Sequence, residues 1–187
     1  MRMTLLALFT FTIASWSNAG YIHLKAELAQ ILMEIAWQKT LNGEANAKPW
    51  PWADTWPVAR LKSVKLDDDL LVLAGTYGSA LAFGPGHMNG TSLPGKVGTS
   101  VIAGHRDTHF RFLEVLSPGD SISLQDTSGS WHGYQVDSTS VVDTKANPDW
   151  QLDLSRDEIH LVTCYPFDAI STGGPLRFIV RLVRDSQ

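Results

Sequence analysis

The sequence is poor in cysteine, poor in charged residues and free of long runs of either sign. Cys164 is the only cysteine among 187 residues, which excludes an internal disulfide and any metal site built from several thiolates. The 15 basic and 19 acidic residues leave a net charge of −4 without a basic cluster, so nucleic acid is not expected as a partner. Charged residues make up 18% and hydrophobic residues 44% of the chain, a balance that excludes a disordered protein.

Residues 1–19 predict export across a membrane. Arg2 precedes the uncharged and mostly apolar stretch Thr4–Trp16, an order of charge and hydrophobicity that is typical of a signal sequence. The small residues of Ser17–Ala19 favour cleavage before Gly20, whereas Trp16 would suit an uncleaved anchor at the membrane interface. A cleaved signal peptide and a signal anchor therefore both stay open, and either one places the rest of the chain outside the cytoplasm.

Residues 20–56 predict an appendage that precedes the main domain. Apolar residues at spacings of three and four predict an amphipathic helix over residues 21–41. Its expected apolar face consists of Leu24, Leu28, Ile31, Leu32 and Ile35. A connector rich in proline and tryptophan follows over residues 48–57, and its large indole rings favour docking onto the main domain or contact with a membrane surface. Whether residues 44–56 cover a cleft stays open.

From residue 57 to residue 187 the pattern is that of a mainly β domain. Short β-forming runs separated by glycine, proline and aspartate predict strands at Val58–Leu66, Asp69–Ala74, Val97–Ala103, Asp120–Leu124, Gly133–Val136, Glu158–Thr163 and Leu176–Val183. One helical turn is predicted at Phe110–Leu116. Regularly spaced short strands of this kind predict a closed antiparallel barrel or a sandwich.

The single cysteine is the strongest functional signal. A free thiol in an exported protein is exposed to oxidation, so its presence is better explained by use than by packing. Cys164 follows a predicted strand and precedes Tyr165 and Pro166, where the proline ends the strand ladder. Side chains at such junctions are those that a rigid barrel presents to a cleft. We therefore predict a nucleophilic thiol, with a small core residue as the alternative.

Two further residues are expected beside this thiol. The strands that end at Cys164 and begin near Arg177 are consecutive, so antiparallel pairing would bring both residues to one edge of the sheet. An arginine there favours a thiolate and donates forked hydrogen bonds to an oxyanion, although a solvated strand-end charge explains it equally well. Histidine is the commonest proton-transfer partner, and His105, which follows Gly104 at a strand end, is the first choice; His160 is another candidate.

Three segments around these residues resemble the signatures of the sortase family. They are Gly104–Thr108, Leu161–Phe167 and Pro175–Phe178, and they occur in the order and strand context of that family. The resemblance runs from about Pro57 to Arg184. The short apolar N-terminus, the helix and the Trp-Pro connector are similar to the proteobacterial sortases. The resemblance implies an eight-stranded sortase barrel with short helices.

By this resemblance the chain is a membrane-tethered cysteine transpeptidase. Cys164 would form a thioester with a sorting-type peptide, His105 would transfer protons, Arg177 would hold the substrate or the oxyanion, and Thr163 would hydrogen-bond the bound peptide. The implied partners are an exported protein with a C-terminal sorting-type motif and an amine acceptor such as peptidoglycan. The implied location is the inner membrane, with the catalytic domain on the periplasmic side. No cofactor or metal is expected, because the acidic triplet Asp67–Asp69 is more simply a solvated turn.

Two other functions stay open from the sequence. His105, Asp107 and His109 lie at positions i, i+2 and i+4, which is a possible ligand spacing for a metal-dependent hydrolase, although Arg106 beside a cation is unfavourable. The second alternative is a non-catalytic exported β-domain that binds peptide or glycan through its tryptophan-rich appendage.

Overall fold

A computed structural model describes residues 24–66, 69–147, 153, 156–169 and 173–185 of the chain. The predicted signal segment, residues 1–19, and the first two residues of the acidic triplet lie outside these ranges. Within the described ranges, no helix combines the length and the apolar content needed to cross a bilayer.

Eight strands close into a single barrel. They are β1 (Pro57–Ser63), β2 (Leu70–Ala74), β3 (Gly86–His87), β4 (Ser100–Ala103), β5 (Ser121–Gln125), β6 (Trp131–Asp143), β7 (Glu158–Cys164) and β8 (Leu176–Arg184). Their order around the barrel is β1-β2-β3-β4-β7-β8-β6-β5, and β5 pairs with β1 to close it. The predicted mainly β class and the eight-stranded barrel are confirmed, and the sandwich alternative is wrong.

The strand spacing predicts an antiparallel barrel, but the barrel also contains parallel pairs. β2 pairs with β3, and β4 pairs with β7, in the parallel sense. Two strands also differ from the sequence pattern. β3 has only two residues, too few for any alternation to be visible, and β6 continues to Asp143 through an exposed polar run that carries no hydrophobic period.

Apolar side chains from alternate strand positions fill the barrel. The largest fully buried ones include Leu61, Ile102, Ile122, Leu124, Tyr134, Ile159 and Leu161. Alternation along β7 turns Ile159 and Leu161 towards this core and turns Cys164 the other way, towards the outside of the barrel wall. The predicted helical turn forms a short 3₁₀ helix, Arg111–Val115, and a four-residue helix, α2, spans Gly78–Leu81.

A long helix, α1, covers residues 24–41 and packs on the outside of the barrel. Its buried face consists of Ala29, Met33, Ala36, Trp37 and Thr40. Met33 joins a small apolar cluster with Leu73 of β2 and with Ala80. A salt bridge of 2.6 Å between Glu34 and Arg60 of β1 fixes the helix laterally.

The expected apolar face of this helix does not dock on the barrel, because the opposite face does. Leu24, Leu28, Ile31 and Ile35 are 72%, 55%, 56% and 48% exposed. The docked face instead uses small residues, which allow close approach to the barrel, together with the fully buried ring of Trp37, over which the Arg60 guanidinium lies at 6.0 Å. Consequently α1 is apolar on two opposite faces.

The tryptophan-rich connector docks in part onto the barrel. Trp56 packs against the core, and the Trp50 ring meets that of Phe83 edge-on at 5.2 Å between centroids. Trp52 is 82% exposed. Residues 44–46 line a cavity together with Trp56 and His87.

Replacing Trp37 by alanine should test which face of α1 holds the barrel. We expect Trp37→Ala to lower the free energy of unfolding by about 3–5 kcal/mol, because it empties a fully buried aromatic position. The matched control Leu28→Ala, on the exposed face of the same helix, should change it by about 0.5 kcal/mol or less. Urea unfolding of the full chain measures both. Equal losses for the two variants would contradict docking through the face that carries Trp37.

Candidate functional site

The parallel pairing of β4 with β7 places His105 beside Cys164. The last residues paired across these strands are Ala103 and Val162. His105 and Cys164 each lie two positions beyond that pair, at the same ends of parallel neighbours. The register therefore carries the imidazole and the thiol to one edge of the barrel, which we name the site edge.

The antiparallel pairing of β7 with β8 adds Arg177 to the site edge. Cys164 and Arg177 are direct cross-strand partners, as the consecutive strands predict. The Arg177 Nη1 atom donates to the carbonyl oxygens of Gly174 at 2.7 Å and Leu176 at 2.9 Å. These two bonds hold the guanidinium at the start of β8.

Both reactive side chains are accessible. Cys164 is a free thiol and is half-buried, while His105 is exposed. The wall behind them is rigid, because Tyr165, Phe167 and Phe178 form three ring contacts with centroids 5.2–6.1 Å apart. An accessible sulfur on a fixed support, with a histidine and an arginine at the same edge of the barrel, supplies the residue types that nucleophilic acyl transfer needs.

The ends of β4 and β7 are also joined by a side-chain bond. The Thr163 hydroxyl is buried and donates to the Gly104 carbonyl oxygen at 2.7 Å. Gly104 cannot carry a larger side chain, because an added Cβ would lie 2.8 Å from the Phe110 ring. Thr163 thus helps to hold the peptide before His105, and its expected contact with a bound peptide stays a prediction.

Two more histidines lie in this region. His109 is half-buried, and burial lowers its pKa, with a smaller contribution from the nearby charge of His105. His160, the other candidate for the thiol's partner, is buried, and its Nε2 lies 2.7 Å from a Glu158 carboxylate oxygen. His160 faces outwards four residues before Cys164, whereas His105 is level with the thiol.

The alternative metal site is not assembled. Its expected ligands, His105, Asp107 and His109, are all described, and in the described part of the chain no three histidine, cysteine, aspartate or glutamate side chains are grouped to hold an ion. Asp107 instead accepts a hydrogen bond from the Arg106 Nε atom at 3.3 Å.

Two arginines that the sequence did not single out connect the loop after His105 to the loop after Cys164. Arg106 is buried and donates from Nη2 to the Ala169 carbonyl oxygen at 2.7 Å. Arg111 donates from Nη1 to the Phe167 carbonyl oxygen at 3.0 Å. Arg106 lies within the Gly104–Thr108 segment, and its position next to His105 was the only sequence signal that it belongs to the site region. The arginine itself does not indicate a buried hydrogen-bond partner so far along the chain.

Comparison with known proteins gives a consistent result at the level of sequence. A family profile described as the sortase domain matches residues 62–185, which is more than half of the chain. The chain is 32% identical to Sortase D of Bacillus subtilis (strain 168) over 120 residues, or 64% of this chain. That match spans 60% of the relative, which is less than two thirds of its length.

Solved structures share the fold. Sortase A from Corynebacterium diphtheriae is similar with a TM-score of 0.61 and 25% identity over 85% of each chain. A sortase C from Clostridium perfringens, solved with the C-terminal cell wall sorting motif, is similar with a TM-score of 0.58 and 22% identity over 87% of this chain and 90% of that one. None of these relatives comes from a proteobacterium, so they give no support to the expected proteobacterial resemblance.

Changing Arg106 should test whether it positions His105 against the thiol. We expect Arg106→Lys to lower kcat by about 10- to 100-fold with a smaller change in KM, because a lysine does not reproduce the forked bonds to Ala169 and Asp107. The pH dependence of Cys164 alkylation should shift as well, since the imidazole is no longer fixed beside the sulfur.

Arg111→Lys is the matched control, because Phe167 is also held by its ring contacts. It should stay within a few-fold of the unchanged protein in both measurements. Equal effects of the two substitutions, or an unchanged alkylation profile in Arg106→Lys, would contradict a positioning role for Arg106.

Proposed function

The chain belongs to the sortase family, and we propose that it is a cysteine transpeptidase with Cys164 as nucleophile, His105 as proton-transfer group and Arg177 as the oxyanion or substrate clamp. The observation that carries this proposal is the register of three strands. β4, β7 and β8 bring these three side chains to one edge, and they do so with the sulfur half-buried and free.

The first half of the proposed reaction forms an acyl-enzyme. With the thiol proton on His105, the sulfur of Cys164 attacks a backbone carbonyl carbon of an extended peptide. A C–S bond forms, the peptide C–N bond breaks, and His105 gives its proton to the departing amine. Both hydrogen bonds of Arg177 to described residues use Nη1, which leaves Nε and Nη2 to stabilise the developing oxyanion or hold the peptide backbone.

The second half releases the product. An incoming amine attacks the thioester carbon and gives a proton to His105, a C–N bond forms, and the C–S bond breaks to restore the sulfur. Because one imidazole must act first as acid and then as base, the rate should depend on pH through a bell-shaped profile.

We propose that the peptide is the C-terminal sorting-type motif of an exported protein. The Clostridium perfringens sortase C structure, solved with such a motif, supports this choice of substrate for a shared fold. The proposed acceptor is an amine of the cell envelope such as peptidoglycan, so that the reaction attaches proteins to the envelope. The proposed location, the inner membrane with the barrel on the periplasmic side, rests on Arg2 and the apolar stretch Thr4–Trp16.

Cleavage of a sorting-type peptide by single variants should separate the thiol enzyme from the metal hydrolase. We expect Cys164→Ala to abolish cleavage and His105→Ala to lower it by about 10²–10⁴-fold, the usual contribution of acid–base catalysis. Asp107→Asn and His109→Gln are the controls and should remain within a few-fold, with cleavage unaffected by a chelator. Full activity of Cys164→Ala would rule out Cys164 as the nucleophile.

The acyl-enzyme itself should be visible by intact-mass measurement. Incubation with peptides that carry candidate tails should add the mass of the acyl part to the unchanged protein and not to Cys164→Ala. Hydroxylamine should remove the added mass, because it cleaves thioesters. An adduct that also forms on Cys164→Ala would place the acyl group elsewhere.

A further inference from the structure

The outward face of α1 carries a straight line of exposed aliphatic side chains. Leu24, Leu28, Ile31 and Ile35 lie at positions i, i+4, i+7 and i+11, so they project from one side of the helix over about 16 Å. Each is roughly half exposed or more. Single exposed aliphatic residues are ordinary, but four in register on one helix face are typical of a contact surface. We name these four residues the α1 stripe.

The flanks of the α1 stripe are polar. At 100° per residue, Lys25 and Lys39 fall on one side of it, and Glu27 and Gln38 fall on the other. The helix is therefore docked on the barrel through one apolar face and presents a second, narrow apolar face bordered by charge. Lysine side chains beside such a stripe are able to lay their methylene chains along an apolar surface and keep the ammonium in water.

The α1 stripe lies beside a groove between α1 and the barrel. Near its start, α1 lines a groove through Glu27, Gln30 and Glu34, together with Asp69 and His109. His109 is close enough to His105 for that charge to affect its pKa. Ile31 of the α1 stripe lines the same groove, so the middle of the stripe lies near His109.

The chain before α1 identifies what the stripe faces. The apolar stretch Thr4–Trp16 ends shortly before Leu24, and the intervening residues 17–23 span about 25 Å at most when fully extended. If Thr4–Trp16 enters a bilayer, that reach keeps the start of α1 close to the bilayer surface. The α1 stripe is then an apolar surface within reach of the lipid.

We propose that the α1 stripe is a second membrane contact, with α1 lying in the plane of a phospholipid interface, its outer face against the lipid and its inner face holding the barrel. The chemistry fits such a surface, because an interfacial helix needs one apolar side, polar flanks and basic residues at the headgroup level. This proposal rests on the proposed membrane location and not on the catalytic assignment, since no residue of the stripe belongs to the site.

Fluorescence quenching on the full chain tests the proposal. In a Cys164→Ala background, a single cysteine at Leu28 or Ile31 carries an environment-sensitive label, and the protein is reconstituted into vesicles of phosphatidylethanolamine and phosphatidylglycerol. Lipids that carry a nitroxide should quench both labels several-fold more than a label at Ser140, an exposed position on β6. Labels shielded from lipid and from water, or labels that quench one another between copies, would instead indicate a cover of protein and overturn the proposal.

A paired variant separates this contact from the catalytic function. With a label at Ile35, Leu28→Asn combined with Ile31→Asn should reduce lipid quenching several-fold, because the apolar area is lost while the buried face is intact. Peptide cleavage by the same pair in detergent, with Cys164 present, should equal that of the unchanged protein. Unchanged quenching in the paired variant would reject the membrane contact whatever the cleavage result. Absence of cleavage by the protein without these two substitutions, together with strong lipid quenching of the labels at Leu28 and Ile31, would reject only the enzymatic proposal.

Discussion

The hydrogen-bonded pairing of β4 with β7 is the constraint on which the site depends. The two strands are parallel, so both end at the same edge, and the residues that follow them are level. A slip of one position would turn Cys164 into the core and leave His105 opposite a backbone without a thiol. The Thr163 hydroxyl on the Gly104 carbonyl oxygen fixes this register where the ladder ends. The buried Arg106 side chain extends the same connection to the following loop.

The local parts of the site could be predicted from the sequence, and the long-range parts could not. Cys164 and Arg177 end and begin consecutive strands, so antiparallel pairing followed from chain order alone. The neighbour of β7 on its other side is β4, and no local pattern specifies a parallel contact between segments so far apart. The position of His105 at a strand end could be predicted from the sequence, and its role stays a prediction. The bond between Arg106 and Ala169 joins residues 63 positions apart and has no local signature.

The two apolar faces of α1 show what hydrophobic periodicity leaves undecided. Hydrophobic periodicity ranks large aliphatic side chains above small ones, and it therefore chose Leu28 and Ile31 over Ala29 and Ala36. Docking onto a curved barrel wall instead favours small residues that let the helix approach, with one aromatic ring to fill the remaining space. Both faces of α1 carry apolar residues at helical spacing, and periodicity alone does not indicate which face packs against the barrel.

A helix that holds the barrel on one face and lies along a bilayer on the other would confine the enzyme to two dimensions. Targets that are themselves held in the same membrane would then meet it by lateral diffusion, at a far higher effective concentration than free peptides in solution. Weak recognition of a short peptide suffices under those conditions. The outer face of α1 would thus contribute to selectivity by deciding which chains the active site encounters, before any side chain of the motif is recognised.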